Sequence, residues 1–203
     1  PEVPFPGGLE DCLAAWHDLL DQGIKPEDIT IAGDSAGGGL TLATMVALRD
    51  AGVALPACAT CFSPWVDLEG TGDSAKPDAV DDPMVGLEGL QEMANHYAAD
   101  NLRNPLAAPL YADLSGLPPL LVFVGTREVL LSDATRIVDN ARAAGVDTTL
   151  VVEEGLVHVW PARAAMAAIQ TLGGRELLGK PMQVRRYVHG SRFGSGGAMK
   201  SLS

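Results

Sequence analysis

Three short stretches hold residues whose types could do chemistry together. Ser35 lies in Gly33-Asp34-Ser35-Ala36-Gly37, Glu128 in Gly125-Thr126-Arg127-Glu128, and His158 in Gly155-Leu156-Val157-His158. Each follows an apolar run. A serine hydroxyl is a poor nucleophile at neutral pH, so it needs an imidazole to take its proton. The imidazole in turn needs a carboxylate to fix its tautomer and to stabilise its cationic form. With 9 serines and 23 glycines in 203 residues, the bare G-x-S-x-G pattern arises by chance roughly 0.1 times. The surroundings must therefore carry the reading. They exclude two phosphate-binding alternatives, because neither Gly-Lys-Ser/Thr nor G-x-G-x-x-G is present. Asp133 competes with Glu128 as the acid, but it falls near the start of the next helix, where a carboxylate also has a structural use. Glu128 is preferred because it is nearer the strand end. Of the other histidines, His17 precedes the serine, His96 sits in a helical segment, and His189 belongs to the tail.

The elements that must position these groups can be read from periodicity. Asp28 to Leu48 reads as strand, sharp turn and helix, with Gly33 and Gly37 expected to remove side chains that would collide at the turn. The Ala36 N–H, opening the helix, is expected to face a developing oxyanion. Helical spacing runs from Leu9 to Leu20, from Ala36 to Ala51, around Leu87 to Tyr97, and from Ser132 to Ala144, with Ser132 as the expected N-cap. Apolar strands are expected at Ile29 to Ala32, Ala57 to Ser63, Leu120 to Val124 and Thr148 to Val152. Strand and helix alternate, which implies a parallel sheet with functional groups at the carboxyl ends of its strands. The irregular stretch from Pro64 to Pro105 carries Asp78, Asp81 and Asp82. No spaced third ligand completes a metal site there, so a solvated loop is expected, and the insertion at about 67–104 reads as a lid or pocket wall.

Composition sets the remaining bounds. The chain is 47% hydrophobic and 20% charged, enough for one domain with a core. Its net charge of −12 argues against nucleic acid. That charge is uneven: six Lys/Arg against one Glu from Arg175 onward give +5, and eight Lys/Arg against 25 Asp/Glu before it give −17. No apolar run reaches the roughly 18 residues of a membrane span. Cys12, Cys58 and Cys61 do not form a disulfide framework, so a reducing, cytoplasmic setting is expected. Cys58 and Cys61 stand three apart in a strand and face opposite sides, which favours buried small residues over a redox pair.

Several segments together resemble the hormone-sensitive-lipase-like family of α/β-hydrolase carboxylesterases over roughly Pro1 to Pro161. These are the proline-rich opening Pro1-Glu2-Val3-Pro4-Phe5-Pro6, the extended elbow Gly33-Asp34-Ser35-Ala36-Gly37-Gly38, Ser63-Pro64-Trp65-Val66-Asp67-Leu68, Ser115-Gly116-Leu117-Pro118-Pro119, and Gly155-Leu156-Val157-His158-Val159-Trp160. The resemblance implies an α/β-hydrolase fold, a mostly parallel sheet with flanking helices, here with its first strands missing. At the acid position the family usually has Asp followed by Pro-Leu; this chain has Glu128-Val129-Leu130. The family's His-Gly-Gly-Gly oxyanion motif lies upstream of the segment where this chain begins. The expectation is thus an N-terminally truncated catalytic domain over 1–173, followed by a basic, flexible tail over 174–203. The implied activity is that of a serine carboxylesterase acting on short- to medium-chain esters through an acyl-enzyme. Its triad would be Ser35, His158 and Glu128, with Ala36 in the oxyanion hole and Trp65 and Met84 lining the substrate pocket. No cofactor, metal, nucleic acid or membrane is expected as a partner. Self-association through an exposed sheet edge is expected. The alternative is an inactive or ligand-binding fragment of the same fold that lacks the upstream oxyanion motif.

Overall fold

The computed structural model describes residues 2–161. The expected tail over 174–203 lies outside the described residues. Four parallel strands are laid side by side in chain order: β1 (Thr30–Asp34), β2 (Cys58–Phe62), β3 (Leu120–Gly125) and β4 (Thr148–Glu153). Parallel neighbours cannot be joined by a tight hairpin, so each connection must cross over. Helix α2 (Ala36–Asp50) joins β1 to β2, and α4 (Leu131–Ala143) joins β3 to β4. Between β2 and β3 the chain makes a long excursion that contains α3 (Leu87–Ala98). Helix α1 (Gly7–Asp21) precedes β1 and packs on α2. The register pairs Asp34 with Phe62, Phe62 with Phe123, and Gly125 with Glu153. The carboxyl ends therefore align, and the segments after all four strands emerge along one edge of the sheet.

Alternation along the strands decides which face is buried. Ala59 and Cys61 of β2 and Leu120, Val122 and Val124 of β3 point to one side, where Leu42, Met45 and Val46 of α2 and Ala134, Ile137, Val138 and Ala141 of α4 cover them. Cys61 is fully buried and Cys58 is half-buried; both are free thiols. Burial among apolar groups pushes the Cys61 thiol up to about 12, which leaves it an inert packing group. On the other side of the sheet Phe62 stacks on Phe123, and Trp160 meets Phe123 edge-on.

A second apolar cluster lies in the excursion. Leu90, Ala94 and Ala98 of α3 recur at helical spacing and pack with Trp65, Leu68, Ala75, Ala107 and Ala108, and also with Val129 and Leu130 that follow β3. The expected insertion at about 67–104 is thus seated on the segment that carries Glu128. Ser132 does not cap α4. The helix begins one residue earlier, its N-cap is Leu130, and the Ser132 hydroxyl instead accepts from the Ser74 N–H at 2.9 Å. Among the described residues no helix is long and apolar enough to cross a membrane.

Candidate active site

The turn after β1 sets the geometry of Ser35. Its φ of 54° and ψ of −121° fall outside the regions open to most side chains, a conformation that costs on the order of 1–3 kcal/mol. Backbone bonds hold it there. The Ser35 N–H donates to the Phe62 carbonyl at 2.9 Å, and its own carbonyl accepts from Gly38, Gly39 and Trp65. Glycines are needed for space, though not where the sequence pattern suggests. A Cβ on Gly33 would run into the Gly37 carbonyl, one on Gly39 into the Trp65 carbonyl, and one on Gly38 would lie 2.8 Å from the Pro64 ring. Gly37 itself is open, with only an Asp34 oxygen 3.9 Å from an added Cβ. The collision expected at Gly37 is therefore transferred to Gly38 and Gly39, because the first turn of α2 lies against the chain leaving β2.

As the first residue of α2, Ala36 has no carbonyl one turn earlier in its own helix to receive its N–H. Among the described residues the Ser35 hydroxyl makes no hydrogen bond, to His158 or to any other group. Such contacts often close only around substrate.

Glu128 and His158 are brought together. The His158 side chain is 7% exposed and that of Glu128 is fully buried, with Nδ1 of the ring 2.9 Å from Oε2 of the carboxylate. When the carboxylate is ionised it only accepts, so Nδ1 is then the donor and Nε2 is the ring nitrogen left facing away from the acid. The other carboxylate oxygen accepts from the Ser63 hydroxyl at 2.9 Å and from the Gly125 N–H. Neighbouring backbone joins the two loops: the Arg127 N–H reaches the Leu156 carbonyl at 3.2 Å, and the Thr126 N–H reaches the Glu153 carbonyl at 3.0 Å. Gly125 allows this approach, since a Cβ there would overlap the Leu156 carbonyl.

Asp133, the competing acid, lies elsewhere. It is buried, and its Oδ2 accepts the N–H groups of Val66 and Asp67 at 2.9 and 2.8 Å. Burial pushes its pKa up to about 7 against those two hydrogen bonds, and the nearby charge of Asp67 adds to the rise. Asp67 has the opposite balance. Burial pushes it up, but hydrogen bonds from Thr71, Arg136 and Tyr111 outweigh that and leave it below its ordinary value.

The acidic pair Asp81-Asp82 has a role that sequence reading missed. Asp82 accepts the N–H groups of Met84, Val85 and Val129, and Asp81 pairs with Arg127 at 2.6 Å. Ser74 completes the clamp by donating to the Val129 carbonyl at 2.6 Å and accepting the Ser132 N–H. The insertion thus holds Arg127 and Val129, the residues on either side of Glu128. Ser63 was missed too, although its position directly after β2 parallels that of Ser35 after β1. Trp65 is buried in the second cluster with its Nε1 donating to the Asp67 carbonyl, Met84 is half exposed, and His17 and His96 are exposed.

Known proteins with the same pattern sharpen this picture. A family model described as the alpha/beta hydrolase fold matches residues 1–162. An acetyl-hydrolase of Streptomyces hygroscopicus is 46% identical over 161 residues, which cover 79% of this chain and 54% of that protein. An esterase of Acinetobacter venetianus is 37% identical over 158 residues, 77% of this chain and 52% of that one. A crystal structure of an esterase from the bacterial hormone-sensitive lipase family superposes with a TM-score of 0.79 at 48% identity, covering 85% of this chain and 60% of that one. The chain therefore spans about half the length of the two relatives it matches in sequence.

Proposed function

Since the chain belongs to the α/β-hydrolase fold family, in its hormone-sensitive-lipase-like branch, we propose that it is the part of a carboxylic ester hydrolase that carries nucleophile, base and acid. The observation that carries the reading is the buried His158–Glu128 hydrogen bond, on the same sheet edge as the turn that forces Ser35 into a positive φ.

In this reading the Ser35 hydroxyl oxygen attacks the ester carbonyl while His158 Nε2 takes its proton. Glu128 keeps the Nδ1–H in place and stabilises the imidazolium as it forms. The Ala36 N–H donates to the tetrahedral oxyanion. Collapse breaks the bond to the alkoxy group, which leaves as the alcohol with the proton from His158. Water then attacks the acyl-serine, giving up a proton to the same nitrogen, and the carboxylic acid departs with Ser35 restored. The sequence resemblance supports short- to medium-chain acyl esters, and the acetyl-hydrolase among the relatives supports the short end of that range. The half-exposed Met84 offers apolar surface for the acyl group, and Trp65 is buried in the second cluster.

A fluorophosphonate probe followed by mass-spectrometric mapping tests the reading. An adduct is expected on Ser35, absent in Ser35→Ala and reduced at least about 10²-fold in rate in His158→Ala. A folded chain that reacts elsewhere, or not at all, would overturn it.

A further inference from the structure

We propose that Ser63 is a positioning residue that holds the acid and the base through one hydroxyl. The proposal rests on the reading of Glu128 and His158 as that pair.

Ser63 is the first residue beyond β2, and its N–H donates to the Phe123 carbonyl of β3 at 2.7 Å. Its side chain is fully buried. The hydroxyl proton goes to Glu128 Oε1 at 2.9 Å, and the hydroxyl oxygen accepts the Val159 N–H at 3.0 Å. Both directions follow from chemistry, because an ionised carboxylate cannot donate and a backbone N–H cannot accept. A serine has one hydroxyl proton, so the first bond fixes how the oxygen faces the second partner.

The consequence is a carboxylate held at both oxygens. Oε1 is occupied by Ser63 and the Gly125 N–H, which leaves Oε2 turned to His158 Nδ1. The second bond, to Val159, holds the chain one residue beyond the histidine. Ser63 therefore constrains both ends of the Glu128–His158 contact. Its backbone also indicates a role for the side chain. Ser63 has a φ of 49°, where glycine would be relaxed and serine is strained. One buried and one part-buried hydrogen bond offset that strain, and glycine can make neither.

The test compares Ser63→Gly and Ser63→Ala with the unaltered full chain. Glycine suits the positive φ, so it removes the hydroxyl without opposing the backbone. The first readout needs no turnover: the low-field proton resonance of His158 Nδ1–H, assigned by its absence in His158→Gln. It is expected in the unaltered chain and lost in both Ser63 variants while circular dichroism still shows a cooperative melt. The second is hydrolysis of p-nitrophenyl acetate, where kcat should fall about 10- to 100-fold with KM changed less than about twofold. A resonance that persists in Ser63→Gly overturns the proposal. A chain that does not hydrolyse the ester at all counts against the reaction, and the resonance still decides the role of Ser63. Should neither variant fold, amide exchange in the unaltered chain decides it. Slow exchange at Val159 supports the hydroxyl contact, and exchange as fast as at exposed Glu154 overturns it.

Discussion

The two halves of the candidate site are held by opposite means. Glu128 and His158 are themselves buried, and the carboxylate has a partner on each oxygen: Ser63 and Gly125 on one and His158 on the other, with Asp82 and Ser74 gripping Val129 behind it. Around Ser35 the strand is an edge of the described sheet, alternately exposed and half-buried, and the serine side chain makes no hydrogen bond among the described residues. Its position comes from backbone bonds and from glycines that let α2 lie against the Pro64-Trp65 segment. Glu128 and His158 are thus held by side-chain hydrogen bonds, whereas Ser35 is held in a strained backbone conformation with no side-chain bond among the described residues. One half should therefore be costly to remove and the other nearly free.

The largest expected effect breaks the contrast at its strong end. Glu128→Ala leaves the Ser63 hydroxyl, the Gly125 N–H and the His158 ring without their acceptor, a loss of about 3–5 kcal/mol by urea denaturation; a loss under about 1 kcal/mol would refute the picture of a fold-supporting acid. An intermediate effect should come from Asp133, buried against the Val66 and Asp67 N–H groups with a pKa raised to about 7 from an ordinary 3.8. Between those values the folded state holds a proton that the unfolded state has released, so this group makes stability fall as pH rises from about 4 to 7. Asp133→Asn keeps an acceptor for Val66 and Asp67 but cannot titrate. The melting temperature of the variant relative to the parent should therefore climb across that window, on the order of a few degrees, and level off above it. A difference that stays flat with pH would remove Asp133 from the account. The smallest effect is expected at Ser35. Ser35→Gly relieves the positive φ and forfeits no side-chain hydrogen bond, so stability should hold or rise by up to about 1 kcal/mol while ester hydrolysis disappears. A clear destabilisation would mean that the hydroxyl has a structural partner after all.

The same contrast explains what the sequence could reveal. Ser35 and His158 were legible because a glycine-flanked serine and a histidine in a loop beyond a strand are local patterns. The elements around them follow from apolar periodicity, with boundaries displaced by one or two residues. Glu128 against Asp133 was harder, since two carboxylates five residues apart differ only in what surrounds them. Their separation comes from long-range packing: Ser63 and His158 converge on one, and the backbone at Val66 and Asp67 meets the other. Ser63 carries no pattern of its own, because its importance arises only when the ends of β2, β3 and β4 lie in register. Ser132 shows the reverse error. Its sequence position suits a helix cap, yet Ser74, 58 residues away, claims its hydroxyl. Asp82 similarly reads as a solvated loop residue until Val129 is placed beside it.

Asp82 and Ser74 also set a rule for re-engineering the protein. If the proposed reading holds, the stretch at about 67–104 is the cassette to exchange for a different substrate range, yet the same stretch supplies the grip on Arg127 and Val129. Under the proposed reading, a graft chosen only for the shape of a binding wall would release the loop that carries Glu128, and the chimaera is expected to lose rate with every ester alike. Transplants that retain a serine and an aspartate at these two positions should keep the grip on Val129, so that under the same reading recognition is redrawn without disturbing the residues beneath it.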